Sequence, residues 1–248
     1  MKNAIKRITV MTLVLIILVS GINIDSYASG KKAQSRKAIK AYSKVLSNSI
    51  KTAKVIDSGK DVTKLPKNVS NLWMDQYRHL TLMHMGDVSP IYSIQDINKD
   101  GIPELFVGIK FTSAGTTKCT INAVYTYKKK VIMLFEGTGD RACVDFYKNG
   151  ILSTSHYGGA GMYGYTFYKL PKKSVKPKNI EQVEADWGKF TKSVNGGSMK
   201  SCTSEDFNAV VAKYDKKKIS PKWYKLNKNA VTASKKGYAS YKAYKKAK

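Results

Sequence analysis

The chain has 248 residues, with 44 Lys and Arg against 17 Asp and Glu, a formal net charge of +27. A hydrophobic content of 42% and 16 Tyr are enough for a core and exclude a wholly disordered chain. Eighteen Gly and six Pro without a period exclude a collagen-like repeat, and the length allows one large domain or two small ones.

Lys2, Lys6 and Arg7 precede an apolar run at 8–22, and Ser26-Tyr27-Ala28 places small residues at the −3 and −1 positions. That is the layout of a secretory signal peptide, and the run is shorter than the roughly 20 residues of a membrane span. Residues 1–28 are therefore expected to be removed, leaving a protein that is secreted or held at the cell wall. No Cys follows the run, so the acylation site of a lipoprotein is absent.

Residues 29–66 read as an N-terminal helix and linker. Ile39, Tyr42, Val45, Leu46, Ile50, Ala53 and Ile56 recur at helical spacing, flanked by lysines, before Gly59 and Pro66. Residues 67–228 read as an α+β domain. A weaker helical pattern at 71–85 carries Leu72, Trp73, Tyr77 and Leu80. Strand-like alternation then occupies 91–97, 105–111, 121–127, 131–135, 142–147, 151–156 and 165–170. Asn149-Gly150 is a hairpin dipeptide, since both central residues of a type I′ turn need positive φ. Thr203 or Ser204 can cap a helix through Phe207, Val210, Val211 and Tyr214, with Glu205 and Asp206 in its first turn. The expected fold class is α+β: N-terminal helices, an antiparallel β meander carrying a calcium-loop hairpin, and one C-terminal helix. Residues 229–248 form a Lys/Tyr-rich basic tail.

The chemistry concentrates in Asp96-Ile97-Asn98-Lys99-Asp100-Gly101-Ile102-Pro103-Glu104. Asp96, Asn98 and Asp100 alternate around a tight turn that Gly101 permits. The carbonyl of Ile102 adds a backbone oxygen and Glu104 closes the set. Six to eight hard oxygen ligands suit Ca²⁺, expected here as a structural ion of weak affinity, on the order of 10⁻⁴–10⁻³ M. An ordinary acidic turn with solvated carboxylates is the alternative. The loop resembles the start of EF-hand and dockerin loops. It is more similar to the shorter strand-flanked calcium loops of FG-GAP and integrin-type repeats, because Val107 stands where an EF-hand has its bidentate Glu and a strand follows. With the signal peptide and helical start, the layout also resembles a group of uncharacterised secreted proteins of Gram-positive, clostridia-like bacteria, which implies no activity.

Only Arg7, Arg36, Arg78 and Arg141 are arginines; the other bases are lysines. Lysine is a hydrated point charge without the planar fork that reads bases, so diffuse attraction to a polyanion fits better than sequence-specific DNA binding. Teichoic acid is the expected partner, then extracellular nucleic acid. In the tail, Tyr238, Tyr241 and Tyr244 alternate with Lys242, Lys245, Lys246 and Lys248, giving either a stripe on a helix or a solvated end. The leading function is thus a calcium-braced cationic module that binds an anionic wall or extracellular polymer. A hydrolase using Glu136, Asp140 and Asp145, or a protein-interaction scaffold, are the competing classes.

No other constellation is convincing. His79 and His84 are five apart, not four as a helical zinc pair requires, and Met83-His84-Met85 has no second Met/His cluster. Ser155 and His156 point to opposite faces of a strand. Cys143 with His156 would lack an orienting partner. Gly158-Gly159-Ala160-Gly161 lacks the ending of a phosphate loop and reads as a turn. Cys119 and Cys143 are the preferred pair if a disulfide forms, with Cys202 left over; three unpaired thiols are the alternative.

Overall fold

A computed structural model describes residues 2–83, 86–137, 143–159, 161–172 and 175–248, with side chains from residue 30 onward except that of Cys143. The elements in chain order begin with α1 (Lys2–Asp57), α2 (Asn71–Leu82), β1 (Gly86–Gln95), β2 (Glu104–Ser113), β3 (Thr116–Lys128) and β4 (Lys130–Glu136). Next come β5 (Cys143–Tyr147), β6 (Ile151–Gly159), β7 (Met162–Lys169), β8 (Lys178–Asp186), β9 (Lys189–Val194) and β10 (Lys200–Cys202). The chain closes with α3 (Ser204–Asp215), β11 (Lys218–Ile219), β12 (Tyr224–Lys225), α4 (Lys228–Lys235) and α5 (Tyr241–Lys246). The fold is α+β, and its strands form two antiparallel sheets in place of the single meander expected: β12-β1-β2-β3-β4 and β10-β9-β8-β7-β6-β5-β11.

The alternation along β2 shows how the layers arise. Leu105, Val107, Ile109 and Phe111 face the helices, where they pack with Tyr42, Val45 and Leu46 of α1, Trp73 and Tyr77 of α2, and Ala230 of α4. Phe106 faces the other way and meets Phe146 edge-on at 4.5 Å, joining Val124 and Ile121 to Val144 and Leu152 across the two sheets. The far face of the second sheet carries Phe167, Val183 and Ala185 against Phe207, Val210 and Tyr214 of α3, with Phe167 and Tyr214 stacked at 3.8 Å. Period-2 strands with two apolar faces thus give four layers: helices, sheet, sheet, helix.

Local signals behave as their chemistry requires. Thr203 caps α3 and forms a capping box with Asp206. Ser70 caps α2, accepting from the Trp73 amide at 3.0 Å while its hydroxyl donates to Glu136 at 2.5 Å. Asn149 and Gly150 both take positive φ between β5 and β6. The helix expected through Phe207 and Tyr214 is α3, and two more, α4 and α5, follow it over the Lys/Tyr-rich tail. They are capped by Asn227 and Ser240, and α4 is buried through Ala230, Ala233 and Ser234, residues too small to mark an apolar stripe. The Ser234 hydroxyl donates to the Ile39 carbonyl of α1, so the tail returns to the N-terminal helix.

The signal-peptide expectation, His84 and Met85 of the Met-His-Met run, Asp140 and Ala160 fall outside the described residues or side chains. Among the described residues no helix is long and apolar enough to cross a membrane. Cys119 carries a free, exposed thiol on β3 opposite Lys110, so the preferred pairing with Cys143 is not formed.

Candidate functional site

The loop 96–103 joins β1 to β2, whose register closes at Gln95 opposite Glu104. Lys99 (φ 58°) and Gly101 (φ 93°) take the left-handed conformation that turns it sharply. Asp96 accepts from the amides of Asp100 (3.2 Å) and Gly101 (2.9 Å). Asp100 accepts from the Ile102 amide at 2.7 Å, and Asn98 accepts from the Asp100 amide at 3.1 Å. These side chain to backbone bonds fold nine residues without help from either sheet.

Long-range partners then fix the loop in place. The Tyr42 hydroxyl of α1 donates to the Pro103 carbonyl at 2.7 Å. The Asn98 amide donates to the Pro171 carbonyl at 3.4 Å, and Gly150 approaches so closely that a Cβ there would lie 2.7 Å from the Cβ of Asn98. The loop is therefore wedged between the first sheet, the β5–β6 turn of the second and the segment after β7. None of Tyr42, Gly150 and Pro171 is signalled as a site residue by the sequence, because each arrives from a distant element.

Of the five expected ligands, Asn98, Asp100, Ile102 and Glu104 line one cavity of about 30 Å³, together with Pro171, Lys128 and Lys172. Asp96 does not line it; its two oxygens accept from the Asp100 and Gly101 amides. Among the described residues no group of three or more His, Cys, Asp or Glu side chains stands close enough to share an ion. Glu104 is fully buried: one carboxylate oxygen accepts from the Ile97 amide at 3.2 Å and the other has no partner. Burial, opposed by the Ile97 amide and reinforced by the charges of Asp100 and Asp96, pushes its carboxyl up to about 8. Asp100 is raised as well, by burial, against the Ile102 amide and Lys172, which favour its charged form. The orphaned oxygen of Glu104 is a buried acceptor without a partner, in a residue that shares this small cavity with Asn98 and Asp100 and also with Leu134 and Val175. Lys128 and Lys172 bring positive charge to the same wall.

The carboxylates considered for acid–base work do not converge. Glu136 receives the Ser70 hydroxyl and the Leu72 amide at the start of α2, and Asp145 pairs with Lys218 at 2.7 Å. Cys143 stands opposite Ser155 in the β5–β6 register, not opposite His156.

A charged face is the second feature. Residues 29–56 and 216–248 contain no Asp or Glu, and they supply the exposed part of α1 together with α4 and α5. Exposed Lys32, Arg36, Lys37 and Lys40 line an open depression of about 340 Å³ on α1. Gly237, just beyond α4, backs onto Arg36, bringing exposed Lys235 and Lys236 to that side. Two acid-free segments far apart in the chain thus share one layer, a placement that composition alone does not reveal. Comparison with protein-family models, with curated proteins and with solved structures finds no match, so the residues alone carry the functional argument.

Proposed function

We propose that this is an exported cationic module, braced by Ca²⁺ at Asn98, Asp100, the Ile102 carbonyl and Glu104, with Asp96 in support. It binds an anionic cell-wall or extracellular polymer. The observation that carries the proposal is the layer formed by residues 30–56 of α1 with α4 and α5, where lysines and Arg36 stand exposed on stretches without a single carboxylate. Such a layer attracts a polyanion over a Debye length of about 8–10 Å without reading its sequence. Teichoic acid is the favoured polymer and extracellular nucleic acid the next. The ion's role is mechanical: it would tie the β1–β2 loop to the Asn149–Gly150 turn and hold the two sheets in register.

The test is retention of the protein on purified cell walls, with and without teichoic acid, across a salt series. Retention should fall steeply with salt and be reduced on stripped walls. The double variant Arg36→Glu/Lys40→Glu should flatten the salt dependence, by roughly one unit of log–log slope for each phosphate no longer engaged. Retention indifferent to salt, or unchanged in the double variant, would refute the proposed face.

A further inference from the structure

Tyr157 (52% exposed), Met162 (41%) and Trp187 (71%) are large apolar side chains that stand in water at one end of the second sheet. Adjacent turns bring them together. Met162 of β7 pairs with Asp186 of β8, Tyr157 of β6 pairs with Tyr163 of β7, and the Trp187 amide donates to the Gly161 carbonyl at 2.9 Å. The Trp187 ring lies over Gly161, 3.4–3.5 Å from where a Cβ would be.

Trp187 is the wrong residue for its turn. The two-residue connection between Asp186 and Lys189 has φ +46° at Trp187 and +82° at Gly188. Asn, Asp or Gly suits such a position, whereas a bulky side chain with positive φ is disfavoured. Nor does packing repay the strain, since most of the ring is exposed. An aromatic side chain held outward against its backbone preference is best understood through something it touches.

We propose that Tyr157, Met162 and Trp187 form a hairpin tip that seats in the headgroup layer of an anionic phospholipid bilayer. Trp and Tyr combine an apolar ring with a polar group, the pairing that concentrates such residues at membrane interfaces. Met162 needs an apolar phase that a hydrated wall polymer does not offer. The charge of the chain supplies the complementarity: without residues 1–28, which carry Lys2, Lys6, Arg7 and Asp25, 41 bases against 16 acids leave +25, drawn to anionic headgroups, after which the tip adds an attachment that salt does not screen. The tip is a different part of the molecule from the acid-free helical layer, and its test reads Trp187 and a bilayer where that of the layer reads retention on cell walls.

Tryptophan emission reports it directly, because Trp73 is buried and Trp223 half-buried while Trp187 faces water. Vesicles of phosphatidylglycerol and phosphatidylcholine should shift the emission to the blue and shield it from acrylamide; phosphatidylcholine alone should do neither. Trp187→Asn places a turn-favoured residue at the strained position, so its melting temperature should equal or exceed that of the wild type. It should nevertheless lose the spectral response and about tenfold in vesicle affinity at raised salt. The proposal is overturned if the wild type binds vesicles with unshifted emission, or if Trp187→Asn binds equally well. It is also overturned if that variant melts lower, or if soluble polyglycerol phosphate produces the same shift without a bilayer.

Discussion

Glu104 shows how one side chain can set the pH response of the loop. Its carboxyl keeps a proton up to about pH 8 in the folded chain, against an ordinary value of 4.5. The folded state therefore binds more protons than the unfolded one between these limits. Its stabilising contribution is complete below about pH 4.5 and is lost as pH rises through 8, by roughly 1.4 kcal/mol per pH unit in between. Urea denaturation in chelator across this range should show the decline, and Glu104→Gln should abolish it. Equal slopes in the two proteins would refute the assignment. Where calcium occupies the loop, millimolar metal should raise the melting temperature of the wild type at pH 8 and leave Glu104→Gln unmoved.

Individual elements make sharper mechanical predictions. A Cβ on Gly108 would lie 2.0 Å from the Thr120 carbonyl oxygen and 3.1 Å from the Trp223 ring, at a register shift between β2 and β3. Gly108→Ala should thus cost about 3 kcal/mol or more, seen as a lower denaturation midpoint or loss of folded protein. Thr203→Ala removes half of a capping box and should cost about 1 kcal/mol. The first seven strands are legible in the sequence because each alternates strongly apolar residues. By contrast, β8 and β9 pass as loop in the sequence: Lys178–Asp186 buries only Val183 and Ala185 fully against α3, with Ile180 half-buried and its other six residues polar. Helix α4 is hidden for the opposite reason, since alanines packed on α1 carry almost no hydrophobic signal. The loop at 96–104 can be read as a whole because its partners are local. Its seating by Tyr42, Gly150 and Pro171 cannot, because period and spacing carry no information on which distant elements meet.

At the scale of the molecule, the layers are held largely by aromatic side chains, and that exposes the fold to alkali. Burial raises the phenols of Tyr42, Tyr77, Tyr92, Tyr125, Tyr147, Tyr165 and Tyr214, that of Tyr92 to about 12. Folded phenols hold protons that unfolded ones release near pH 10. This stability is full below pH 10 and is lost as pH rises towards 12 and beyond. Phenolate absorbance should consequently appear in two stages: exposed tyrosines first, then a cooperative step coincident with loss of near-ultraviolet circular dichroism. A single smooth titration with the fold intact would contradict the burial of these rings. The same whole-molecule view locates the charge: residues 30–56 and 216–248 hold no carboxylate, while Asp57 at the end of α1, Asp61 after it and Asp75 of α2 put acidic groups at the other side of the helical layer.

The hydrogen bond from Ser234 to the Ile39 carbonyl spans 195 residues. On a chain made from its N-terminus, α1 waits for some 195 further residues before α4 can cover it. At 5–20 residues per second, that delay is on the order of ten to forty seconds. Throughout it, the stripe of Ala38, Tyr42, Val45 and Leu46 lacks its final cover, and the second sheet lacks β11. Covering of α1 therefore waits on synthesis of α4, and a chaperone able to hold an amphipathic, lysine-flanked helix should associate with chains truncated before α4 and release those that include it.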